Sequence, residues 1–201
     1  MTSESKVDQL IRKTLEVQPD FPKQGVYFLD IFPLFHDPAV IKSITDEIVQ
    51  KIKELSPKAT AIVALEARGF LFAPIVAMEL GIKFVPIRKT GKLPGKVENF
   101  TYQLEYGQDT VEIQSGVLKE SDSVVIFDDI LATGGTASAA VSLLTKLNIP
   151  CSLCLFVIEL SYLTGRAKLE ESLKKQSGSH STVIHSISLI SAEEIDDIPK
   201  K

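Results

Sequence analysis

The residues best suited to chemistry lie in one short stretch, Val124 to Ala140, which reads VVIFDDILATGGTASAA. It begins as an apolar run typical of a buried strand, and that run ends on Asp128 and Asp129. A turn of small residues and an alanine-rich helix follow. The stretch therefore predicts a strand, an acidic edge, a glycine loop and a helix N-terminus in direct succession.

A glycine loop that opens a helix is suited to bind an anion. The first N–H groups of a helix have no partner within it, and the helix dipole adds positive charge at that end. Glycines let a phosphate approach the backbone closely. The loop consists of Ala132, Thr133, Gly134, Gly135 and Thr136. It has no lysine and lacks the GxGxxG pattern, which separates it from the nucleotide-triphosphate and dinucleotide loops.

The two acids adjoin this anion site but would repel a phosphate. An ionised carboxylate only accepts hydrogen bonds, so the neighbouring hydroxyls of a ribose are suitable partners for Asp128 and Asp129. A ribose 5-phosphate would satisfy the loop and the acids together. A tight turn with two solvated acids is the alternative, and the combination of strand, paired acids and TGGT favours the phosphate site.

Three further predicted strands end on residues that could bind a ligand. The strand over 60–65 leads to Glu66, Ala67 and Arg68, where the arginine could bind a phosphate or form a surface ion pair. The strand over 83–87 leads to a basic loop, which indicates anion capture or a solvated charged segment. Its cations are Arg88, Lys89, Lys92 and Lys96. The strand over 152–158 ends at Glu159 and Leu160.

The elements that must position these residues alternate between strands and helices. This alternation predicts an α/β fold with a mostly parallel central sheet and helices on both faces. Ligands in such folds bind at the carboxyl ends of the strands, so the four strand ends should converge on one crevice. Helices are predicted over 5–17, 39–55, 70–80, 136–147 and 164–175. A hairpin with Glu105 and Tyr106 at its tip is predicted over 100–113, and a last strand is predicted over 182–190. The polar tail is expected to fray.

Length and composition restrict the class of protein. We expect the 201 residues to form one domain, with residues 1–38 as a helix and an aromatic hood. A net charge of −4 and a pI near 5.5 argue against nucleic acid as a partner. No apolar run approaches the roughly 20 residues of a membrane helix. The start of the chain has no apolar secretory core and there are only two cysteines, so we expect a reducing cytoplasm.

The two cysteines, Cys151 and Cys154, form a CSLC motif within a predicted strand. A redox or zinc site is one interpretation of such spacing. On a strand, however, residues three apart point to opposite faces, and no second Cys/His cluster completes a zinc site. We therefore expect both to be thiols of the core.

Six segments of this chain together resemble the adenine phosphoribosyltransferases, a branch of the type I phosphoribosyltransferases. In chain order they are FPKQGVYFLDI, ALEARGFLFAP, FVPIRKTGKLPG, TYQLEYGQDTVEIQ, FDDILATGGT and VIELSYLTGRAKL, over about residues 20 to 170. The DD–TGG loop is common to the type I enzymes, whereas the RKTGKLPG and LEYG segments point to the adenine branch.

The resemblance implies a type I fold with a β-hairpin flap and a small N-terminal hood. It also implies the conversion of adenine and phosphoribosyl pyrophosphate to AMP and pyrophosphate, with Mg²⁺ held mainly by substrate and water. Asp128 and Asp129 would hold the ribose hydroxyls, and the loop 132–136 would bind the 5-phosphate. The pyrophosphate would contact Glu66, Ala67 and Arg68 through a non-proline cis peptide, and also Arg88, Lys89, Lys92 and Tyr106. A homodimer is implied, with Arg88 reaching across its interface.

The base would lie between the aromatic hood and Leu160, with backbone groups of Tyr27 reading its edge and Leu29 beside it. Attack by N9 loads positive charge on the base, and a carboxylate can take the proton or stabilise the cation. Glu105 is the catalytic candidate, on a hairpin that closes to exclude water.

Three positions depart from the family pattern. Leu29 stands where a charged residue is more common, Phe32 where a small polar residue is more common, and Ala67 where serine is more common. The donor site is complete, whereas the base pocket is altered. Two alternatives therefore stay open: a weakly active or non-catalytic paralogue that binds the donor, and the same chemistry on another purine.

Overall fold

The main sheet in this computed structural model, which describes residues 5–103, 107–175 and 181–200, has seven strands. Their spatial order is β5-β6-β4-β3-β7-β8-β9. Their bounds are β3 Ala61–Leu65, β4 Lys83–Lys89, β5 Val97–Gln103, β6 Gln108–Gln114, β7 Val124–Leu131, β8 Cys151–Leu160 and β9 Val183–Ile190. Strands β4, β3, β7, β8 and β9 are parallel, and the hairpin β5–β6 joins the edge of β4 in antiparallel pairing. The mostly parallel sheet and the hairpin are as the sequence predicts.

Helices cover both faces of this sheet, as predicted. They are α1 Lys6–Thr14, α2 Pro38–Leu55, α3 Ala73–Leu80, α4 Gly135–Lys146 and α5 Gly165–Lys174. Strand β3 shows why two cores form, since successive side chains point to opposite faces. Ile62 and Ala64 pack in the core under α1, α2 and α3. Val63 and Leu65 pack in the core under α4 and α5. Within the described residues, no helix has the length and apolar character to cross a membrane.

Strand β7 is longer than the sequence predicts. We expected it to end on Asp128 and Asp129, but it continues beyond them to Leu131. Pairing with β8 continues past them, with Asp128 opposite Phe156 and Leu131 opposite Glu159. The neighbouring strand β8 supplies backbone hydrogen bonds here, and this pairing outweighs the low strand propensity of aspartate.

The N-terminal hood is a second, two-stranded sheet. The prediction of a helix over 5–17 is wrong at its end, because α1 stops at Thr14 and β1 follows at Glu16–Pro19. Strand β2, Tyr27–Asp30, pairs antiparallel with β1. A 3₁₀ turn at Phe32–His36 then leads into α2.

The C-terminal tail does not fray over residues 191–200, contrary to the expectation. Ile195 and Ile198 are buried in the core beneath the hood. The backbone N–H of Val17 donates to the carbonyl of Pro199 at 2.8 Å. Two isoleucines in an otherwise polar segment are enough to dock it, because burying each removes apolar surface from water.

Both cysteines are buried thiols, as predicted, but they do not point to opposite faces. The pairing of β7 with β8 shifts register between Val124 and Val125, so that Val124 lies opposite Cys151 and Val125 opposite Leu153. This bulge turns Cys151 to the face of Cys154, and the two Sγ atoms are 3.8 Å apart.

The start of α5 packs directly on the glycine loop that precedes α4. A Cβ added to Gly165 would lie 2.1 Å from the carbonyl oxygen of Ala132. A Cβ on Gly134, whose φ is +74°, would lie 2.5 Å from the carbonyl oxygen of Gly165. Only glycines allow these two backbones to touch, so Gly165 helps to shape a loop thirty residues away in the sequence.

We expect Gly165→Ala to lower the free energy of unfolding by about 1–3 kcal/mol, the usual cost of overpacking. The added methyl has only backbone to displace. Gly135→Ala is the matched control, because the nearest side-chain atoms to its Cβ would be 3.8 Å away, an ordinary contact. Urea denaturation of the two variants checks this, and equal stabilities would contradict it.

Candidate active site

The carboxyl ends of four neighbouring parallel strands form one edge of the sheet. They belong to β4, β3, β7 and β8. Apart from those of the hood and the hairpin, the residues singled out from the sequence follow or occupy these ends and so lie along one edge of the sheet; their convergence on a single crevice stays a prediction.

The centre of this edge is an ion pair between β7 and the turn after β3. The Nε atom of Arg68 lies 2.9 Å from Oδ2 of Asp129, whose side chain is almost fully buried. Gly69 makes the approach possible, since a Cβ there would lie 3.1 Å from Oδ1 of Asp128 and 3.2 Å from the carbonyl oxygen of Phe127. The turn and the acids are therefore held against each other.

The pKa values of the two acids are raised, because their charged forms are unfavourable in this environment. Burial and the adjacent charge of Asp129 raise the pKa of Asp128 well above its ordinary value. Burial also raises the pKa of Asp129, against the favourable charge of Arg68. The Oδ1 atom of Asp128 accepts a hydrogen bond from the backbone N–H of Asp129 at 2.9 Å. Asp128 is only partly buried, so its carboxylate can accept further hydrogen bonds from a ligand.

The turn after β3 also holds the basic loop. The Glu66–Ala67 peptide is cis, as the resemblance implied. The Oε2 atom of Glu66 accepts from Nε of Arg88 at 2.6 Å, and Oε1 accepts from Nζ of Lys92 at 3.1 Å. Burial opposes ionisation of Glu66, but these two hydrogen bonds outweigh it and lower the pKa of the carboxyl.

A second acid pairs with the basic loop from the hairpin. The Nζ atom of Lys89 lies 2.9 Å from Oδ2 of Asp109, which lowers the pKa of this aspartate. Tyr102, opposite Asp109 in the hairpin, donates its hydroxyl to the same oxygen at 3.3 Å. The ring of Tyr102 also lies beside the glycine loop, since a Cβ on Gly135 would lie 3.8 Å from its Cε2 atom. The four cations predicted to bind pyrophosphate thus each contact a carboxylate, and the hairpin lies next to the glycine loop.

The glycine loop is built as an anion cradle. Gly134 takes the left-handed conformation at the N-cap of α4 and offers no side chain to cap the helix. The first N–H groups of the helix therefore face the crevice edge without a side-chain cap. This geometry, with Thr133 and Thr136 alongside, suits a phosphate.

The hood residues divide between core and surface. Tyr27 is exposed and Leu160 is buried at the end of β8. Leu29 is only 4% exposed and packs in the core opposite Val17. Strand alternation turns its side chain into the core, and its place beside the base stays a prediction. Phe32 is half exposed.

The strand alternation that buries Leu29 turns the preceding residue, Phe28, toward the crevice. The guanidinium carbon of Arg68 lies 5.7 Å from the centroid of its ring, and Phe21 packs on it edge-to-face at 5.1 Å. The sequence places Phe28 in the predicted hood, but no motif marks it as a site residue. Tyr102 and Asp109 are not among the predicted site residues either, although the period-two pattern of the hairpin could have paired them. Glu105 and Tyr106 lie outside the described residues.

Comparison with known proteins assigns this chain to a family. The family described as "Phosphoribosyl transferase domain" matches residues 34–187. An adenine phosphoribosyltransferase of Caenorhabditis elegans is 45% identical over 166 residues, which cover 83% of this chain and 88% of the relative.

Two solved structures share the fold over most of both chains. The adenine phosphoribosyltransferase of Saccharomyces cerevisiae, complexed with an imino-altritol bisphosphate and adenine, has a TM-score of 0.81 and 38% identity, covering 90% of this chain and 98% of that one. The Trypanosoma brucei enzyme, in complex with AMP, pyrophosphate and ribose-5-phosphate, has a TM-score of 0.82 and 25% identity, covering 96% and 83%. This chain therefore belongs to the phosphoribosyltransferase family, and within it to the adenine phosphoribosyltransferases.

Proposed function

We propose that this protein transfers a 5-phosphoribosyl group from phosphoribosyl pyrophosphate to N9 of adenine and so forms AMP and pyrophosphate. The observation that carries the proposal is the meeting of three features at one sheet edge. They are the acid pair of β7, the glycine loop before α4 and the cationic turn after β3. Together they match the sugar, the 5-phosphate and the pyrophosphate of the donor.

The sugar phosphate would bind along β7 and its loop. The 5-phosphate accepts hydrogen bonds from the loop 132–136, and the helix dipole of α4 favours its charge. Asp128, the partly exposed acid, accepts from the ribose hydroxyls, while Asp129 is held by Arg68. Because β7 and its loop fix the distance between the phosphate contact and the hydroxyl contact, the anomeric carbon of the sugar would be held in one position.

The pyrophosphate would bind between the turn and the basic loop. As the bond from the anomeric carbon to oxygen breaks, negative charge grows on the leaving group, and Arg68, Arg88, Lys89 and Lys92 stabilise it. Within residues 5–103, 107–175 and 181–200, no three His, Cys, Asp or Glu side chains form a metal cage. Hard carboxylate oxygens border the crevice, which fits Mg²⁺ bound mainly by pyrophosphate and water. The ion would supply further positive charge to the leaving group.

The base would lie between the hood and Leu160. Phe28 offers a flat ring for stacking, and Arg68 fixes that ring next to the donor site. Backbone groups of Tyr27 would read the edge of the base. Glu105, which lies between β5 and β6 in the sequence, would take the proton or stabilise the cation when N9 attacks, and closure of this segment with Tyr106 would exclude water.

We also propose a homodimer. An exposed apolar strip lies on one face of the segment after the pyrophosphate turn, and its residues are Leu71, Ile75 and Met78. They recur at intervals of four and three residues, and such strips on soluble proteins mark contact surfaces. The free, buried thiols of Cys151 and Cys154 support a reducing cytoplasmic compartment. Residues 1–38 would serve as the hood of a single domain.

Another purine is the second candidate base. Phe32 is half exposed on the hood, where the family more often has a small polar residue. A bulky ring at this exposed position would change the shape of the surface that a base meets.

Adenine should be the best acceptor in an assay that offers adenine, hypoxanthine and guanine with the donor and Mg²⁺. Formation of AMP with release of pyrophosphate checks this.

Glu105→Ala should lower kcat by about 10²–10⁴, the usual contribution of general acid–base catalysis, with donor affinity little changed. Donor binding without a nucleotide product from any base would indicate a regulator, and faster reaction with hypoxanthine or guanine would reassign the substrate.

Asp128→Asn should stabilise the fold and weaken ligand binding. Because the folded pKa of Asp128 is raised, stability falls as pH rises from the ordinary pKa of an aspartate to the folded pKa, and this cost is absent only below the ordinary pKa. The variant should therefore melt higher than the wild type at pH 8, and the gain should shrink in acid. Ribose 5-phosphate should bind roughly 10–100-fold more weakly, the loss expected for hydrogen bonds to a charged group.

Thermal melts across pH and calorimetry with ribose 5-phosphate measure the two effects. Asp46→Asn is the control, since it removes one exposed carboxylate on α2, far from the crevice. A pH-independent stability difference or undiminished binding would refute the assignment.

Met78→Glu should convert the dimer to a monomer, because the side chain is 78% exposed in one chain and would be desolvated in the interface. A central contact residue typically contributes 2 kcal/mol or more, so the dissociation constant should rise by about 30-fold or more. Light scattering after size exclusion gives the mass. Leu189→Glu, an exposed apolar position on β9, should leave the dimer intact. A monomeric wild type would overturn the proposal.

A further inference from the structure

We propose that Arg166 and Glu159 are positioning residues that fix the wall of the base pocket at Leu160 against the glycine loop that would hold the 5-phosphate. The proposal rests on the function proposed above and extends it to two residues that would touch neither substrate. Glu159 lies at one of the strand ends that could bind a ligand. Its carboxylate is instead engaged by other side chains of the protein, which gives it a role in the shape of the site.

The carboxylate of Glu159 joins three elements of the fold. Arg166, the second residue of α5, donates from Nε to Oε1 at 2.8 Å and from Nη2 to Oε2. The hydroxyl of Ser186 on β9 donates to Oε2 at 2.7 Å. Arg166 also donates from Nη1 to the carbonyl oxygen of Ile184 at 3.3 Å. The end of β8, the start of α5 and the middle of β9 are therefore held together by one buried carboxylate.

The pair fixes orientation as well as distance, because arginine presents parallel N–H groups to a carboxylate from a rigid plane. Burial opposes ionisation of Glu159, but the hydrogen bonds from Arg166 and Ser186 outweigh it and lower the pKa of the carboxyl. The pair is therefore charged at neutral pH. All of these residues belong to one chain and lie toward the β9 edge of the sheet, at the opposite end from the hairpin.

Each member of the pair is adjacent in the sequence to a residue of a proposed ligand site. Glu159 precedes Leu160, and the two side chains point to opposite faces of the sheet, Glu159 toward α5 and Leu160 toward the core beneath the hood. Arg166 follows Gly165, whose backbone packs on the glycine loop. A Cβ on Gly165 would lie 3.2 Å from the backbone nitrogen of Gly134 in that loop. The ion pair thus links the base pocket to the phosphate loop through two short backbone steps.

The start of α5 depends on this pair for its position. Within the described residues, the N-cap residue Thr164 makes no side-chain hydrogen bond to the first turn of the helix. Arg166 lies in that turn, and its guanidinium ties the turn to β8 and β9. The contact between Gly165 and the loop is a contact of bare backbone, which fits in only one relative position of the two elements.

A shift of either element would therefore reach both ligand sites. Movement of α5 would displace the backbone that supports the glycine loop, and movement of the end of β8 would carry Leu160 with it. A displacement of about 1 Å at a binding group can lower catalytic efficiency by about a hundredfold. A nucleotide spans the two sites, so its recognition depends on the distance between them.

The test is ligand affinity in Arg166→Gln and in the double variant Glu159→Gln/Arg166→Gln. Arg166→Gln should lower the stability of the fold, because it leaves a buried carboxylate unpaired. The double variant should regain most of that stability, because it buries no unpaired charge, but it still lacks the rigid fork. In both variants we expect ribose 5-phosphate to bind about five- to tenfold more weakly and AMP, which spans both sites, about 10–100-fold more weakly.

Urea denaturation measures stability, and calorimetry with ribose 5-phosphate and with AMP measures affinity. The KM values for adenine and for the donor should both rise in the two variants. Lys83→Gln is the matched control, since it also removes a cation from a nearly buried acid, Asp122. Lys83 lies at the start of β4, at the edge of the sheet opposite the site. Its variant should lose stability but keep the affinities of the wild type.

Recovery of both ligand affinities along with stability in the double variant would overturn this proposal, because the pair would then act on stability alone. An equal loss of affinity in Lys83→Gln would overturn it as well. In either case a wild type that forms AMP would leave the proposed function intact. A wild type that binds neither ribose 5-phosphate nor AMP and forms no AMP would instead refute the proposed function.

Discussion

The ion pair between Arg68 and Asp129 is the contact on which the rest of the crevice depends. It joins the turn after β3 to the carboxyl end of β7, and the absence of a side chain on Gly69 leaves room for this close approach. Arg68 also lies against the ring of Phe28, so the same guanidinium connects the hood to the sheet. Loss of this contact would separate the binding regions proposed for sugar, leaving group and base. The burial of Asp129 makes such a loss expensive, because an unpaired buried charge is strongly unfavourable.

Further ion pairs between acids and cations lie around this contact. Lys89 is held by Asp109, and the basic loop is held by Glu66. These pairs keep flexible side chains near the positions where a polyanion would bind, which lowers the entropy lost on binding. They also prevent the mutual repulsion of four cations in a small volume. The adjacent acids of β7 do the opposite, since burial and mutual repulsion raise the pKa of Asp128. The site therefore gives up some stability for a carboxylate that can accept hydrogen bonds from a sugar.

The hood is anchored by apolar packing from both ends of the chain. Leu29 fills the core beside Val17, and the tail residues Ile195 and Ile198 close the same cluster. Leu29, one of the three departures from the family pattern, thus serves as an apolar anchor. Phe32, another of them, lies on the exposed side of the hood. These two departures consequently act on different parts of the molecule.

The sequence by itself determined the alternation of strands and helices, the two-sided sheet, the hairpin and the order of the site segments. These features follow from local periodicity and from strand ends that meet at one edge. It also identified the acids, the glycine loop and the cations, because their residue types are tied to a motif. The tertiary structure decided which of these side chains contact each other.

Sheet pairing extended β7 beyond the acids, and a bulge turned Cys151 toward Cys154. Packing brought Gly165 onto the glycine loop and Tyr102 next to Gly135 of that loop. Such contacts join residues that are tens of positions apart, and no local pattern of polarity or propensity specifies the distance between two elements. That distance is set when the elements pack against a common sheet, which is why the network of paired charges became visible only in the folded chain.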